Sequence, residues 1–480
     1  MFCETGRALI ALGHERDAEF CYRAALQAML RAVGEREIEA ALQSERLIYR
    51  AFVQPGESEA HYEKRFADWH SEFAALGARY RTNLDASKCD PARVAFFLHA
   101  GHLLGHTQVL LRLLGGLKAH AGAPWRPRIY VLTDFSTEFV ERARSLGVEL
   151  VTIEQLLPGG RGSPLLDRLA WLRKNLEEER FAVCIWVSSP LWSSFALSMQ
   201  LAPVQIFWAL RYHPVSSASI DGYLTWGAPG ETTRRYGNQG WQVVPMPLAL
   251  DELPPSKEET QAVRRRFPEP VLLGTLAREE KINSAAYLRA VCDILVANPQ
   301  AGFVWTGHRE LPTISAFFRG AGVAERCHFA GWVDTKVFAA ALDVFLETFP
   351  VGSGVTSLQA FAAGTPLISY LDAETIFGTY YWEELTRSAG GAAGRDMLRD
   401  PERYPILCAR DTGEYVALAG RLISDAAWRR QIGERGSAFY RDELGNNEIY
   451  CRRFFEAVAR IAGEKLAIPL PDGYGTAATP

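Results

Sequence analysis

From about residue 92 the sequence alternates short apolar runs with segments of helical periodicity, and the alternation occurs in two sets. The first set of apolar runs is VAFFLHA, RIYVLTD, VELVTI, FAVCIWVSS, VQIFWAL and GYLTW. The second set is WQVVPM, PVLLGTLA, GFVWTG, RCHFAG, DVFLET and PLISY. Apolar runs of this length, separated by helices, are typical of strands buried on both faces of a parallel sheet. The sequence therefore predicts an α/β fold with two Rossmann-like, doubly wound domains.

The first part of the chain differs from this pattern. Residues 1–88 are rich in Ala, Glu, Arg and Leu and place apolar residues at helical spacing. The stretch ALIALGHERDAEFCYRAALQAML looks like one tetratricopeptide-type helical pair, and a single pair cannot build a solenoid. It predicts an all-helical cap, which can recruit a partner protein or form a homo-oligomer with a second copy of the chain. The predicted segments are the cap at 1–88, a first Rossmann-like domain at 89–245, a second at 246–465 and a flexible tail at 466–480.

Charge and composition narrow the classes of function. With 52 Lys and Arg against 56 Asp and Glu, the formal net charge is −4, which gives no support for binding nucleic acid or an anionic membrane. The eight cysteines are scattered and none has Cys-x-x-Cys spacing, which argues against zinc and redox motifs. The chain has no apolar run of about 18 residues that would span a membrane, and its start lacks the pattern of a signal peptide. We therefore expect a cytoplasmic protein.

The clearest candidate ligand site follows a strand of the second domain. The strand in DVFLET is followed by Gly352-Ser353-Gly354, and a helix begins near Thr356. Glycine lets main-chain amides approach a phosphate, and a helix N-terminus attracts one. The alternative is an ordinary tight turn between a strand and a helix. Ligands bind beyond the carboxyl ends of parallel strands, so two such domains would form a cleft between them.

A lysine has a similar position after another strand of the second domain. In LLGTLAREEKINSAAYL the strand ends at Gly274-Thr275, and Lys281 lies just before a helix capped by Asn283 or Ser284. A lysine at this place can neutralise a diphosphate as a point charge. The alternative is a solvated surface lysine.

Three histidines lie beyond a strand of the first domain, in HAGHLLGHTQVLL. His102 and His106 are four residues apart and can share a helix face, with His99 preceding them. No third ligand with zinc-like spacing is present, which argues against a metal site. A general base or a phosphate donor fits these histidines better.

The stretch LAPVQIFWALRYHPVSSASIDGYLTWG ends a buried strand with polar residues. Gln205 lies on the strand, His213-Pro214 follows it, and Ser216-Ser217 comes next. A rigid turn would explain His213-Pro214, and a helix N-cap would explain the serine pair. A ligand beyond the end of the strand would explain both features together.

This stretch resembles a segment of the O-linked N-acetylglucosamine transferases and of the bacterial cytoplasmic N-glycosyltransferases that modify adhesins. The matching residues are Ala202-Pro203-Val204-Gln205, His213-Pro214, Ser216-Ser217, Asp221 and Tyr223. Three further segments are similar to the same families in the same order, and together they cover roughly residues 92–455: EKINSAAYL, ALDVFLETFPVGSGVTSLQAFAAGTPLIS and CARDTGEYVALAGRLISDAAWRRQI. The fold implied by the resemblance is the two-Rossmann architecture called GT-B.

The resemblance implies an inverting glycosyltransferase that moves a hexose or N-acetylhexosamine from UDP-glucose or UDP-N-acetylglucosamine to Asn or Ser/Thr of a protein. The chain has no Asp-x-Asp pair to hold a nucleotide through a divalent cation, so we expect no metal and no other cofactor. The implied site residues are His106 as base, Lys281, Gly352, Ser353, Gly354 and Thr356 at the diphosphate, Trp332 near the uracil, Gln359 at the ribose, and Gln205, His213 and Ser216 along the sugar or acceptor. Gln359 replaces an aspartate of the families, and a neutral amide binds a hydroxyl less strongly. A core position is the alternative for Trp332.

Three other functions compete with this one. A retaining transferase of the same architecture, acting on a glycan or lipid-linked acceptor, needs a second glutamate after the glycine loop, and none lies between Glu347 and Gly364. A nucleotide-sugar epimerase needs carboxylate acid–base groups around that loop, which are few. A non-catalytic nucleotide-sugar-binding module would bind the nucleotide without turnover.

Overall fold

The computed structural model describes residues 2–12, 14–53, 65–119, 125–152, 155, 157, 162–210, 215, 217–225, 233–236, 239–244, 255–370, 407–441 and 447–466. The contacts divide the chain into two compact units. The first unit comprises Met1–Trp226, Glu231–Met246 and Asn447–Pro480, and the second comprises Gly227–Gly230 and Pro247–Asn446.

The first unit begins with helices, as the apolar spacing predicts. They are α1 (Phe2–Ala11), α2 (Glu15–Glu35), α3 (Ile38–Ile48), a π-helical turn (Tyr49–Val53) and α4 (His70–Ala78). Leu42 and Ile48 of α3 are fully buried, as are Trp69 and Phe73 at the start of α4. An apolar core thus joins the helices, and the N-terminal helical region is present as predicted.

The rest of the first unit is built on an eight-stranded sheet in the order β3-β2-β1-β4-β5-β6-β8-β7. Its strands are β1 (Asp90–Leu98), β2 (Arg126–Val131), β3 (Glu149–Thr152), β4 (Phe181–Val187), β5 (Val204–Ala209), β6 (Gly222–Thr225), β7 (Thr233–Tyr236) and β8 (Gln239–Val243). The helices between them are α5 (Gly105–Ala119), α6 (Thr137–Ser145), α7 (Leu165–Glu178) and α8 (Ser193–Ser198). All pairings are parallel except that of β7 with β8. Every residue of β4 and β5 is buried, which explains why β4 is entirely apolar and why β5 is apolar apart from Gln205.

The second unit has a six-stranded parallel sheet in the order β11-β10-β9-β12-β13-β14. Its strands are β9 (Val271–Thr275), β10 (Ala301–Trp305), β11 (Cys327–Phe329), β12 (Val344–Leu346), β13 (Leu367–Tyr370) and β14 (Leu407–Ala409). Its helices are α9 (Lys257–Arg264), α10 (Glu279–Ile282), α11 (Ala285–Ala297), α12 (Pro312–Gly320), α13 (Thr335–Ala341), α14 (Val355–Ala363), α15 (Thr412–Ser424) and α16 (Ala426–Phe439). Both sheets therefore contain the doubly wound strand order 3-2-1-4-5-6, and the prediction of two Rossmann-like domains is confirmed.

The last helix, α17 (Asn447–Leu466), belongs to the first unit, whereas the sequence prediction placed residues up to 465 in the second domain. Its Phe454 ring packs 4.5 Å from that of Trp208 on β5, centroid to centroid. Lys465 Nζ lies 2.9 Å from Asp221 Oδ1. A Cβ at Gly222 would lie 2.5 Å from the Ile461 side chain, so glycine permits this close packing. The apolar face of α17 thus covers the first sheet.

Among the described residues, no helix has both the length and the apolarity needed to cross a bilayer.

Candidate functional site

The second sheet places two predicted phosphate ligands at its topological switch point, where β9 and β12 lie side by side. The chain leaves β9 toward Lys281, and it leaves β12 toward Gly352. The Lys281 ammonium donates a hydrogen bond of 2.5 Å to the Gly352 carbonyl oxygen. Crevices at such switch points are where open α/β sheets bind ligands. The structure therefore brings Lys281 and the glycine loop together.

The glycine loop leads directly into the N-terminus of α14. Gly354 is its N-cap and has φ 75° and ψ −122°, a conformation that only glycine adopts readily. Two residues on, the Thr356 hydroxyl donates 2.6 Å to the Leu276 carbonyl oxygen in the loop after β9. The positive end of a helix and its unpaired amides attract phosphate. Hydrogen bonds thus connect the loops after β9 and β12 at the N-terminus of α14.

A buried carboxylate is hydrogen-bonded to the start of α14 and to the neighbouring strand β13. Glu347, directly after β12, is 2% exposed. Its Oε1 accepts 2.9 Å from the Ser357 hydroxyl, and its Oε2 accepts from the Ser369 hydroxyl. Burial raises the pKa of Glu347, while these hydroxyls, the Lys281 charge and the Ser353 main-chain amide act in the opposite direction. The Ser353 amide is therefore directed at Glu347, whereas the sequence analysis assigned it to a phosphate.

Two further polar groups belong to the same edge of the sheet. Gln359, on the second turn of α14, is 8% exposed, and its Oε1 has no hydrogen-bond partner among the described residues. A buried acceptor without a donor is costly, so a hydroxyl of a ligand would satisfy it. Arg278, which the sequence analysis missed, is the exposed N-cap of α10, three residues before Lys281, and has no ion pair within the described chain. Arg278 follows the end of the buried strand β9 by three residues, and this position in the sequence could have identified it.

Trp332 lies on the surface, so its interpretation as a core residue is wrong. It is 67% exposed and stacks on the His308 ring, with 4.1 Å between centroids and 11° between planes. His308 follows β10 and Trp332 follows β11, so both lie beyond carboxyl ends of strands. The His308 amide donates 2.9 Å to the buried Glu279 Oε2, which fixes the loop that carries the ring. This exposed aromatic pair offers a flat surface on which a planar ring can stack.

In the first unit, the histidines lie beyond β1 and at the start of α5, as predicted. His106 is in the first turn of α5, next to Thr107, whose hydroxyl accepts 3.0 Å from the Leu104 amide. His102 Nε2 lies 3.3 Å from Asp134 Oδ2. Burial lowers the pKa of His99 to about 3, with further contributions from Arg46, Arg50 and His106, so His99 is neutral. The neutral ring of His99 therefore adds no positive charge next to the start of α5.

The structure contradicts the prediction that Gln205 lines a ligand site. Gln205 is fully buried near the start of β5, at the opposite edge from the carboxyl ends. Its Oε1 accepts 2.9 Å from the Leu201 amide, and its Nε2 donates 2.7 Å to the carbonyl oxygens of Leu197 and Ser219. All of its hydrogen-bonding capacity serves the local fold. The predicted site residues His213 and Ser216 lie outside the described residues.

In the part of the chain that the structure describes, no cluster of three or more His, Cys, Asp or Glu side chains could hold a metal ion.

The fold is similar to those of solved glycosyltransferases. A mutant of the Thermobaculum terrenum O-GlcNAc transferase superposes with a TM-score of 0.59 and 17% identity, over 97% of this chain and 89% of that chain. Anabaena HepE, solved with UDP and glucose, gives 0.55 and 11% over 77% and 100% of the two chains. A glycosyltransferase from Rickettsia africae gives 0.55 and 9% over 78% and 99%. No protein-family model matches the chain, and no curated protein sequence matches it. The likeness to solved structures confirms the predicted GT-B fold.

Proposed function

We propose that the protein is a UDP-sugar-dependent glycosyltransferase of the inverting type, acting without a metal on a polypeptide side chain. The observation that carries the proposal is the contact of Lys281 with the glycine loop at the N-terminus of α14. A cation and a helix N-terminus at a switch point provide positive charge for a diphosphate. Anabaena HepE, which has a similar fold, was solved with UDP and glucose.

The other groups at this edge fit the remaining parts of a UDP-sugar. The unpartnered Oε1 of Gln359 would accept a hydrogen bond from a ribose hydroxyl. The exposed Trp332–His308 pair would stack on the uracil. Arg278 would add a second cation at the diphosphate. The three features lie on the same carboxyl edge as Lys281, so one extended ligand accounts for them.

The reaction we propose is an in-line displacement. The acceptor nitrogen or oxygen forms a bond to the anomeric carbon of the sugar, and the bond from that carbon to the β-phosphate oxygen breaks. The electron pair leaves with UDP, whose developing charge is stabilised by Lys281 and the α14 N-terminus. His106 is the proposed base for the acceptor proton. Asn and Ser/Thr acceptors, and glucose and N-acetylglucosamine donors, fit these residues equally.

Glu347 argues against the retaining alternative. A carboxylate that acts on the donor sugar has to present an oxygen to it. Both Glu347 oxygens accept hydrogen bonds from serine hydroxyls inside the fold, and the side chain is buried. Glu347 therefore supports the loop rather than the sugar.

Calorimetric titration with UDP, with and without EDTA, tests the proposal. We expect micromolar binding that EDTA does not change and that Lys281→Ala weakens about tenfold or more, as loss of a charge-assisted contact does. Lys257→Ala, which removes a lysine from the first turn of α9, is the matched control and should bind as the wild type does. Absence of UDP binding, or full binding by Lys281→Ala, would contradict the donor site.

A donor screen tests the chemistry separately from binding. Release of UDP from UDP-glucose or UDP-N-acetylglucosamine should require His106, so His106→Ala should lose turnover while retaining UDP binding. Binding without turnover of any UDP-sugar by the wild type would instead indicate a nucleotide-sugar-binding module.

A further inference from the structure

The helical cap contacts the switch point of the first sheet, where β1 and β4 are neighbours. Trp192, in the segment after β4, donates from its main-chain amide to Glu45 Oε2 over 3.0 Å. Its indole nitrogen donates 3.1 Å to the Leu42 carbonyl oxygen, so α3 is held at two points. On its other side the Trp192 ring lies 4.4 Å from the His99 ring, centroid to centroid. Helix α3 is thus part of the carboxyl edge at which doubly wound sheets bind ligands.

Two arginines extend from this docked segment. Arg46 follows the docking residue Glu45, and Arg50 lies four residues later, in the π-helical turn. Residues four apart share a helix face, where two like charges repel each other. Within the part of the chain that the structure describes, neither guanidinium forms an ion pair with a carboxylate. Arg46 directly follows Glu45, which accepts a hydrogen bond from the amide of Trp192, and the Trp192 ring in turn packs against His99. Burial lowers the pKa of His99, and the charges of Arg46 and Arg50 lower it further.

The neighbouring groups do not neutralise these two charges. Glu45 is buried and accepts hydrogen bonds from Trp69 Nε1 and the Trp192 amide. His99 is neutral, and its buried Nε2 has no hydrogen-bond partner among the described residues. Among the described residues, then, the His99 ring nitrogen has no hydrogen-bond partner and the two guanidinium groups have no ion pair. An anionic oxygen is the partner that the guanidinium groups lack.

We propose that Arg46 and Arg50, with His99, form a subsite for an anionic group of the polypeptide acceptor. The inference rests on the proposed function, and it names the acceptor class: a polypeptide with a carboxylate near the modified residue. The donor diphosphate has its own cationic site in the second unit, at Lys281, so the charges on the cap serve another anion. The guanidinium group of arginine binds a carboxylate through two parallel hydrogen bonds, whereas the ammonium group of lysine acts as a point charge. Two arginines therefore suit a carboxylate ligand.

Peptide binding to the UDP-saturated protein tests the subsite. The probes are two fluorescein-labelled peptides of equal length, each with one Ser and one Asn, flanked by Glu in one and by Gln in the other. Fluorescence anisotropy at low salt should show that the Glu peptide binds the wild type about tenfold more tightly. The double variant Arg46→Gln/Arg50→Gln should bind both peptides equally. Arg31→Gln, an exposed arginine of α2, is the control and should retain the preference.

Three results would overturn the subsite: equal binding of the two peptides by the wild type, a preference that survives in the double variant, or one that is lost in Arg31→Gln. Inorganic phosphate at millimolar concentration should compete with the Glu peptide in the wild type, and absence of competition also counts against an anion site. Thermal unfolding checks that the double variant is folded. UDP affinity, measured in parallel, separates the two ideas, because failure of the subsite leaves UDP binding intact whereas failure of the proposed function removes it.

Discussion

The Ser357 hydroxyl, on the first turn of α14, donates a hydrogen bond of 2.9 Å to the buried carboxylate of Glu347, which follows β12. The second oxygen of Glu347 accepts from Ser369 on β13. The carboxylate therefore joins the start of α14 to two strands of the sheet. The Tyr415 hydroxyl adds a 2.9 Å bond to the Glu347 carbonyl oxygen, which fixes the main chain at the same point.

Two substitutions of Glu347 test how much its carboxylate contributes to the stability of the fold and to UDP binding. Glu347→Ala leaves two buried hydroxyls without an acceptor and opens a cavity, so we expect a loss of about 2–4 kcal/mol in the free energy of unfolding and weaker UDP binding. Glu347→Gln keeps one acceptor oxygen, and its amide can donate to a rotated hydroxyl, so we expect a loss of about 1 kcal/mol. Chemical denaturation and UDP calorimetry measure both effects. The exposed Glu280 of α10 provides the control Glu280→Ala, and equal behaviour of Glu280→Ala and Glu347→Ala would contradict the supporting role.

The backbone of Gly354 gives a second prediction. An added Cβ would meet no atom within 4 Å, so Gly354→Ala tests conformational strain alone. At φ 75° and ψ −122° we expect a cost of about 1–3 kcal/mol, or a shift of the loop that weakens UDP binding. Gly34→Ala makes the same chemical change inside α2, also in open space, and should stabilise the protein by up to about 1 kcal/mol. Equal effects of the two substitutions on UDP affinity would show that the Gly354 conformation does not matter.

Trp332 gives a third prediction, which depends on the proposed donor. Because its side chain is 67% exposed, Trp332→Ala should leave thermal stability nearly unchanged. Stacking of a base on an aromatic ring contributes about 1–2 kcal/mol, so its loss should weaken UDP binding about 5-fold to 30-fold. Trp332→Phe keeps an aromatic face and should retain most of the affinity. Titration of the three proteins with UDP, and with ribose 5-phosphate as a ligand without a base, tests whether the tryptophan contacts the uracil.

The sequence predicted the fold because strands such as β4 and β5 in the first sheet and β9 and β10 in the second are buried on both faces. Every residue of β4 and β9 is buried, and the apolar runs FAVCIWV and VLLG that form most of these strands are visible in a single sequence. The position of Lys281 was also predictable, since a cation soon after a buried strand lies at the carboxyl edge of a parallel sheet. Helix α17 was assigned to the wrong unit because an amphipathic helix shows which of its faces is apolar but not which sheet that face covers.

The prediction for Gln205 failed for a related reason. A polar residue in an apolar strand is compatible with a ligand contact or with an internal hydrogen-bond partner, and only three-dimensional structure tells them apart. Here the partners are main-chain groups of the segments before and after β5. The roles of Glu45 and Trp192 were invisible for the same reason, because their contact joins residues far apart in the chain.

The contact between the cap and the first sheet predicts a distinct pH dependence of stability. Burial raises the pKa of Glu45 to about 7, so the folded protein binds a proton more tightly there than the unfolded chain does. The protonated form is favoured on folding, and this contribution is complete below about pH 4 and is lost as the pH rises through about 7. His70 and His99, whose pKa values burial lowers to about 3, change stability in the opposite direction, since their contribution is lost as the pH falls below about 6.

Comparison of the wild type with Glu45→Gln isolates this group, because both histidines are present in both proteins. The wild type should gain stability relative to Glu45→Gln by up to about 3 kcal/mol as the pH is lowered from 8 to 5. Urea unfolding at each pH measures the difference. Glu37→Gln, which changes an exposed glutamate at the N-cap of α3, should follow the wild type at every pH. A difference between wild type and Glu45→Gln that is constant over this range would show that Glu45 carries the same charge folded and unfolded, and that the cap docks through its hydrogen bonds alone.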